Sequence, residues 1–208
     1  MWSYDLVGST PTIGIFFMNN DYKNHLAYIT GVAIGDGNLS NPNGRAVRLR
    51  ITCDIKYKNI INNIIFPLKK IFPNNKVSIV KRKKNCIDIS CYSNKLETLL
   101  GWKADKGSKY KQKVSVPLWI KNNKKFTILC LRGLFETDGS IYFDRKYKMV
   151  NFTTIIPKLA KDVINMISRI GFKPNVQIFK RKNIKTKYRI RISKNSEKFI
   201  KLLSINKS

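Results

Sequence analysis

Residues 31–37 read GVAIGDG and residues 133–139 read GLFETDG. Both are runs of small and apolar residues that close on Asp-Gly, and the segments after them agree in type and order. A duplicated unit constrains a fold more than any local pattern, because both copies must bury equivalent faces. The first copy spans residues 24–102 and the second residues 124–208. A lysine-rich linker, residues 103–123, joins them, and residues 1–23 form an N-terminal extension without counterpart in the second half.

Within each copy the periodicities predict one series of elements. Apolar helices over 25–35 and 126–137 end in the Asp-Gly pair, and the alternating stretches RAVRLRITC and KYKMVNFTT then read as strands. An amphipathic helix follows: Tyr57, Ile60, Ile61, Ile64, Ile65 and Leu68 fall on one face, as do Val163, Ile164, Met166, Ile167 and Ile170. Pro157 suits a first helical turn, whereas Pro67 is expected to end or kink its helix. Two more strands come next, KVSIVKRKK with CIDISCY and NVQIFKRKN with KYRIRIS. Short helices over 94–100 and 195–203 close the copies. The fold class is therefore α+β: two pseudo-symmetric αββαββα subdomains.

Charge narrows the partner. Lys and Arg number 41 against 12 Asp and Glu, a net +29. Self-repulsion of that size is relieved by a polyanion, and nucleic acid is the one such a footprint fits. Arg48 and Arg50 alternate with Val47, Leu49 and Ile51, and Arg189 and Arg191 with Tyr188, Ile190 and Ile192. One strand face packs on helices while the other, almost wholly positive, suits a DNA major groove, where Arg reads guanine edges and Lys neutralises phosphate. The outward candidates for base contact are Asn38, Ser40, Arg48, Arg50, Arg82, Asp88, Ser140, Tyr142, Gln177, Arg181, Arg189 and Arg191.

Other chemistries are excluded by their missing residues. A single histidine, His25, rules out His-rich nuclease sites and Cys/His zinc modules. Cys53, Cys86, Cys91 and Cys130 form no CxxC pair and follow no secretory leader, so reduced thiols in an intracellular protein are expected. An organelle and a bacterial or archaeal cytoplasm both fit. No apolar run reaches the length of a membrane span.

The two aspartates stand out against this background. Glycine commonly follows a helix in the left-handed conformation, but an anion at the negative end of the helix dipole is misplaced. Two such anions, Asp36 and Asp138, at equivalent repeat positions ask for a compensating cation. Carboxylates and unsatisfied terminal carbonyls converge there, a donor set suited to Mg²⁺. Gly31 with Gly35, and Gly133 with Thr137, give each helix a small-residue face. Packing those faces together would set the acids side by side on a pseudo-two-fold axis, where phosphodiester hydrolysis is plausible chemistry.

ITGVAIGDG (residues 29–37) and LRGLFETDG (residues 131–139) resemble the two signature helices of the LAGLIDADG homing endonucleases, in the single-chain form. The first departs in carrying Ile34 where the name-giving sequence has its earlier acid. The resemblance covers residues 24 to about 205 and implies a saddle of two sheets on DNA, with the signature helices at the subdomain interface. It implies cleavage of both strands across the minor groove, leaving 3′ overhangs, by a monomer using Mg²⁺, with Mn²⁺ or Ca²⁺ substituting for binding. Asp36 and Asp138 would be the metal-binding acids, helped by the carbonyls of Gly35 and Thr137. A basic residue near each scissile phosphate would be Lys109, with Lys111 and Lys113 as rivals, and Lys207. Cys53 and Thr154 stand where the family often has Gln. Two half-sites of about one helical turn each give a target on the order of 20 base pairs of double-stranded DNA. The competing expectations are an intron maturase that binds RNA on the same scaffold and a DNA-binding regulator without catalysis.

Overall fold

The computed structural model describes residues 19–82 and 85–205. In the first repeat the elements are α1 (Asn20–Gly35), β1 (Gly37–Ser40), β2 (Arg48–Asp54), α2 (Lys58–Ile71), β3 (Val77–Lys81), β4 (Cys86–Tyr92) and α3 (Leu96–Leu100). A short α4 (Leu118–Lys121) lies in the connecting stretch. The second repeat has α5 (Lys124–Thr137), β5 (Gly139–Asp144), β6 (Tyr147–Thr154), α6 (Pro157–Arg169), β7 (Asn175–Arg181), β8 (Ile184–Ile192) and α7 (Ser196–Leu203). The two antiparallel sheets share one topology, β1-β2-β4-β3 and β5-β6-β8-β7. Among the described residues no helix is long and apolar enough to cross a membrane.

α1 begins five residues before the position that apolar periodicity suggests. Asn19 caps it, its Oδ1 accepting from the Tyr22 amide at 2.8 Å, so residues 20–23, assigned to the extension, are helical. Such a polar first turn carries no apolar rhythm; its signal is the cap. From Leu26 to Ile34 every residue is buried, which a helix enclosed on all sides requires.

Pro67 does not end α2, which runs on to Ile71. Proline removes one backbone bond, here to the Asn63 carbonyl, at a cost of about 3 kcal/mol. Ile60, Ile64, Leu68 and Ile71 are all buried on the same helix. At about 1.5–3 kcal/mol per buried side chain, they outweigh that cost.

Period-2 alternation sends Leu49 and Ile51 of β2, and Ile190 and Ile192 of β8, fully into the core. The linker is not a loose tether. Val114, Val116, Trp119 and Ile120 are buried, and the buried Asp162 of α6 accepts from the Val116 amide at 2.9 Å and from Lys121 at 2.7 Å. All four cysteines are free thiols.

Gly37 and Gly139 are not the left-handed caps expected of them. Neither has a positive φ; each is the first residue of a strand. A Cβ on Gly37 would stand 2.6 Å from the Ala33 carbonyl oxygen, and one on Gly139 would stand 2.4 Å from that of Phe135. Glycine is needed for the chain to fold back against its own helix, and that tight reversal fixes where each aspartate points.

Candidate active site

The seam between α1 and α5 is built from backbone. A Cβ on Gly31 would lie 2.1 Å from the Cys130 carbonyl oxygen, and one on Gly133 would lie 2.5 Å from that of Tyr28. Near the helix ends, the Gly35 position lies against Thr137, and its notional Cβ is 3.5 Å from Asp138 Oδ2. The carboxylate of one copy therefore abuts the helix end of the other. Asp36 and Asp138 occupy the same cap geometry, φ −91° with ψ −1° and φ −85° with ψ −2°. Thr137 Oγ1 is turned back to the Gly133 and Leu134 carbonyls, at 2.9 and 3.0 Å.

A cation sits at the end of α1. Lys109 Nζ donates to the carbonyl oxygens of Ile34 and Gly35, both at 2.7 Å. Burial lowers its pKa to about 8, against the opposing pull of Asp138 and Asp36. Both carboxylates thus act on one ammonium group, as their placement at the negative helix ends demanded. The loop is held by Gln112, which donates to the Lys103 and Gly107 carbonyls at 2.9 and 2.8 Å and accepts from the Lys103 amide. Of the rivals, Lys111 and Lys113 are exposed, and Lys113 sits at φ 50°. Lys207 lies outside the described residues.

Asp138 opens onto a cavity of about 340 Å³ whose wall also includes Gly35, Lys109, Thr153, Thr154 and Lys187. Thr154 thus stands beside Asp138. Cys53 takes the matching place in the first repeat: its thiol is pushed up to about 12 by burial and then by Asp36. Among the described residues, no three His, Cys, Asp or Glu side chains gather at one point. The donor set is two carboxylates and terminal carbonyls, which fits a hard divalent ion completed by water and phosphate oxygens. The Gly35 carbonyl, expected to help hold that ion, also accepts from Lys109, which makes it the weaker donor.

Register sorts the sheet residues. In the first repeat Asn38, Arg50 and Ser90 are cross-strand partners, as are Ser40, Arg48 and Tyr92. Arg48 Nε donates to Ser40 Oγ at 3.2 Å. In the second, Ser140, Asn151, Arg191 and Asn175 form one row, and Thr153, Arg189 and Gln177 another. Asn151 Nδ2 donates to Tyr142 Oη at 3.1 Å, and Arg181 pairs with Ile184 beyond a bulge. Asn151 Oδ1 and Arg191 Nε are buried without a partner among the described residues, a pair of hydrogen-bonding groups held ready on this face.

Two expectations change. The faces are less uniformly positive than the Arg alternation suggested, because Asn, Ser, Thr and Tyr separate the cations. Asp88 is no outward reader: it is 5% exposed, accepting from Thr52 at 2.7 Å and from Arg82 Nε at 2.6 Å. Burial pushes its carboxyl up, but those partners prevail and hold it below the usual range. It positions Arg82.

The match of known families falls on the second repeat: residues 125–203 fit the model of the LAGLIDADG-like domain. The whole chain has the matching two-subdomain fold. It superposes on the homing endonuclease I-DmoI, represented by mesophilic variants, with a TM-score of 0.64 at 19% identity, covering 90% of this chain and 99% of that one. I-DmoI in complex with DNA and Mn gives 0.63 at 20% identity, with 89% and 99% covered. Full-length DUF199/WhiA from Thermatoga maritima gives 0.61 at 14% identity, covering 91% of this chain and 58% of that one. No curated protein sequence matches the chain.

Helix α5 carries one further charged group that spacing alone did not single out. Glu136 is buried at the α1–α5 seam, accepting from Tyr28 Oη at 2.6 Å and from Arg132 Nε at 2.9 Å. Helix α1 has Ile34 there, so this bond locks the helices together from one side only. Lys187 is the other omission. Its signal was in the sequence, since Lys185, Lys187, Arg189 and Arg191 form one alternating ladder.

Proposed function

We propose that the chain is a site-specific DNA endonuclease that makes a double-strand break with 3′ overhangs in a duplex target on the order of 20 base pairs. The observation that carries this reading is the meeting of Asp36, Asp138 and Lys109 at the abutting ends of two LAGLIDADG-type helices. Both acids belong to one chain, so a monomer suffices. Asp36 and Asp138, with the Thr137 carbonyl, would hold divalent ions, preferentially Mg²⁺, which supply Lewis-acid and water-activating chemistry at phosphate when bound. Lys109 is fixed by two carbonyls and neutralises charge that builds on the phosphate. Cys53 and Thr154 flank the acids and position solvent. The sheet faces hold the duplex, Arg48, Arg50, Arg189 and Arg191 reading base edges and the lysines holding phosphates.

The direct test is selection of a cleaved sequence from a library of randomised duplexes by purified protein with Mg²⁺. Recovery of one target, cut on both strands with 3′ overhangs, supports the reading; failure to cut any duplex, with folded protein that binds DNA, overturns it. Lys109→Met is expected to lower cleavage of that target by about a hundredfold, with duplex affinity retained in a gel-shift measurement. Equal loss of binding and cutting would assign Lys109 to DNA binding instead.

Salt checks the electrostatic part. Each phosphate held by a lysine or arginine contributes a log–log slope near −0.9. With about six such contacts, affinity should fall roughly a thousandfold between about 50 and 200 mM salt. A flat titration would mean that the cationic faces point elsewhere.

A further inference from the structure

The helical side of the molecule carries a second cavity, of about 500 Å³, bounded by residues of α1, α2 and the start of α5. It runs along α1 from Asp21 to Tyr28 and along α5 from Lys125 to Arg132. Arg132, its wall residue nearest the acids along α5, is six residues before Asp138, roughly 9 Å at 1.5 Å per residue, so the cavity lies up the helices from the paired acids. Its volume lies in the range of small-ligand sites.

Its most telling wall residue is Phe66. The ring is 56% exposed although α2 has a well-filled apolar face of its own. His25 meets it edge-on with centroids 5.4 Å apart, and Lys70 Nζ lies 5.5 Å from its centroid. A single exposed aromatic is ordinary. This one borders a cavity of which half the other wall residues are amides or cations, Asn24, Asn62, Asn63, Lys125 and Arg132, set among Tyr28, Pro67 and Leu129. Asn24 Oδ1 has no hydrogen-bond partner among the described residues. The one acid, Asp21, is 3.5 Å from His25 Nε2.

The charges repeat, in mirror image, the oddity of the paired acids. α5 opens with Lys124 and Lys125 and has no acid in its first turn. Cations at the positive end of a helix dipole are disfavoured unless an anion joins them. A second copy of this chain, itself at +29, would be repelled. An aromatic platform with amides and cations in the same cavity wall is what an unpaired nucleotide requires.

We propose that this cavity binds an unpaired nucleotide of a single-stranded nucleic acid, the base stacking on Phe66 and the phosphates meeting Lys125 and Lys70. The site is independent of the duplex-binding sheets, so the chain can hold both at once.

The test uses the full chain with labelled oligouridylate and oligothymidylate, in the presence of excess unlabelled duplex DNA. Wild-type protein is expected to bind single strands under that competition. Phe66→Ala should weaken their binding about fivefold or more, while Phe66→Trp retains it. Duplex affinity and melting temperature should be unchanged in both variants, since the ring is largely exposed. Tighter binding of oligouridylate would identify RNA as the source of the nucleotide; equal binding would identify the unpaired strand regardless of sugar. Undiminished single-strand binding by Phe66→Ala, or full displacement of the oligonucleotides by duplex, would overturn the proposal.

Discussion

Asp36→Asn or Asp138→Asn will lower double-strand cleavage by about a thousandfold, equivalent to about 4 kcal/mol of transition-state stabilisation, leaving at most a nick in one strand. Asparagine keeps the size of the side chain and its fit at the helix end, but loses the charge that holds a divalent ion. The binding signs are opposite. Two carboxylates facing a polyanion repel it, so in the absence of divalent ions each variant will bind duplex DNA at least as tightly as the wild type. Added Mg²⁺ will strengthen wild-type binding more than that of either variant. Cleavage assays and gel shifts with and without chelator measure both parts. Unchanged double-strand cleavage in both variants would remove Asp36 and Asp138 from the chemistry, whatever their binding.

The legible part of this site was its duplication. The Asp-Gly pairs, the four-residue spacing of Gly31 with Gly35, and the alternation around Arg48 and Arg189 are local patterns, so the sequence exposes them. The strand pairs after each amphipathic helix were legible for the same reason. What local pattern cannot carry is register and depth. Asp88 alternates correctly for an outward residue, yet Arg82 and Thr52 close over it from neighbouring strands. Asn151 became a neighbour of Arg191 only through the pairing of β6 with β8. Pro67 does not end its helix, because one lost backbone bond is opposed by four buried apolar side chains that the local rule leaves out. The reversal at Gly37 and Gly139 was located correctly but explained wrongly: close approach to a carbonyl, rather than a left-handed φ, excludes a side chain.

That seam supports the second large effect. Gly31→Ala and Gly133→Ala will each destabilise the fold by about 2 kcal/mol or more, although alanine is the better helix former by about 1 kcal/mol. The added Cβ meets backbone in both cases, the Cys130 oxygen at 2.1 Å, or the Tyr28 oxygen at 2.5 Å with the Val32 nitrogen at 2.7 Å. No rotamer can relieve a clash with backbone, so α1 and α5 must separate. Melting temperature should then fall by roughly 4–8 °C for a chain of this size, and cleavage should fall further because the acids separate with the helices. Gly35→Ala provides the contrast. Its nearest neighbour is the Thr137 side chain, at 2.1 Å from Oγ1, which can rotate at the loss of its bonds to Gly133 and Leu134. Gly35→Ala should therefore melt nearer to wild type while cutting poorly, because Asp138 moves with Thr137. A rise in melting temperature for both Gly31→Ala and Gly133→Ala would mean that the helices do not meet through backbone, and the paired acids would lose the contact that brings them together.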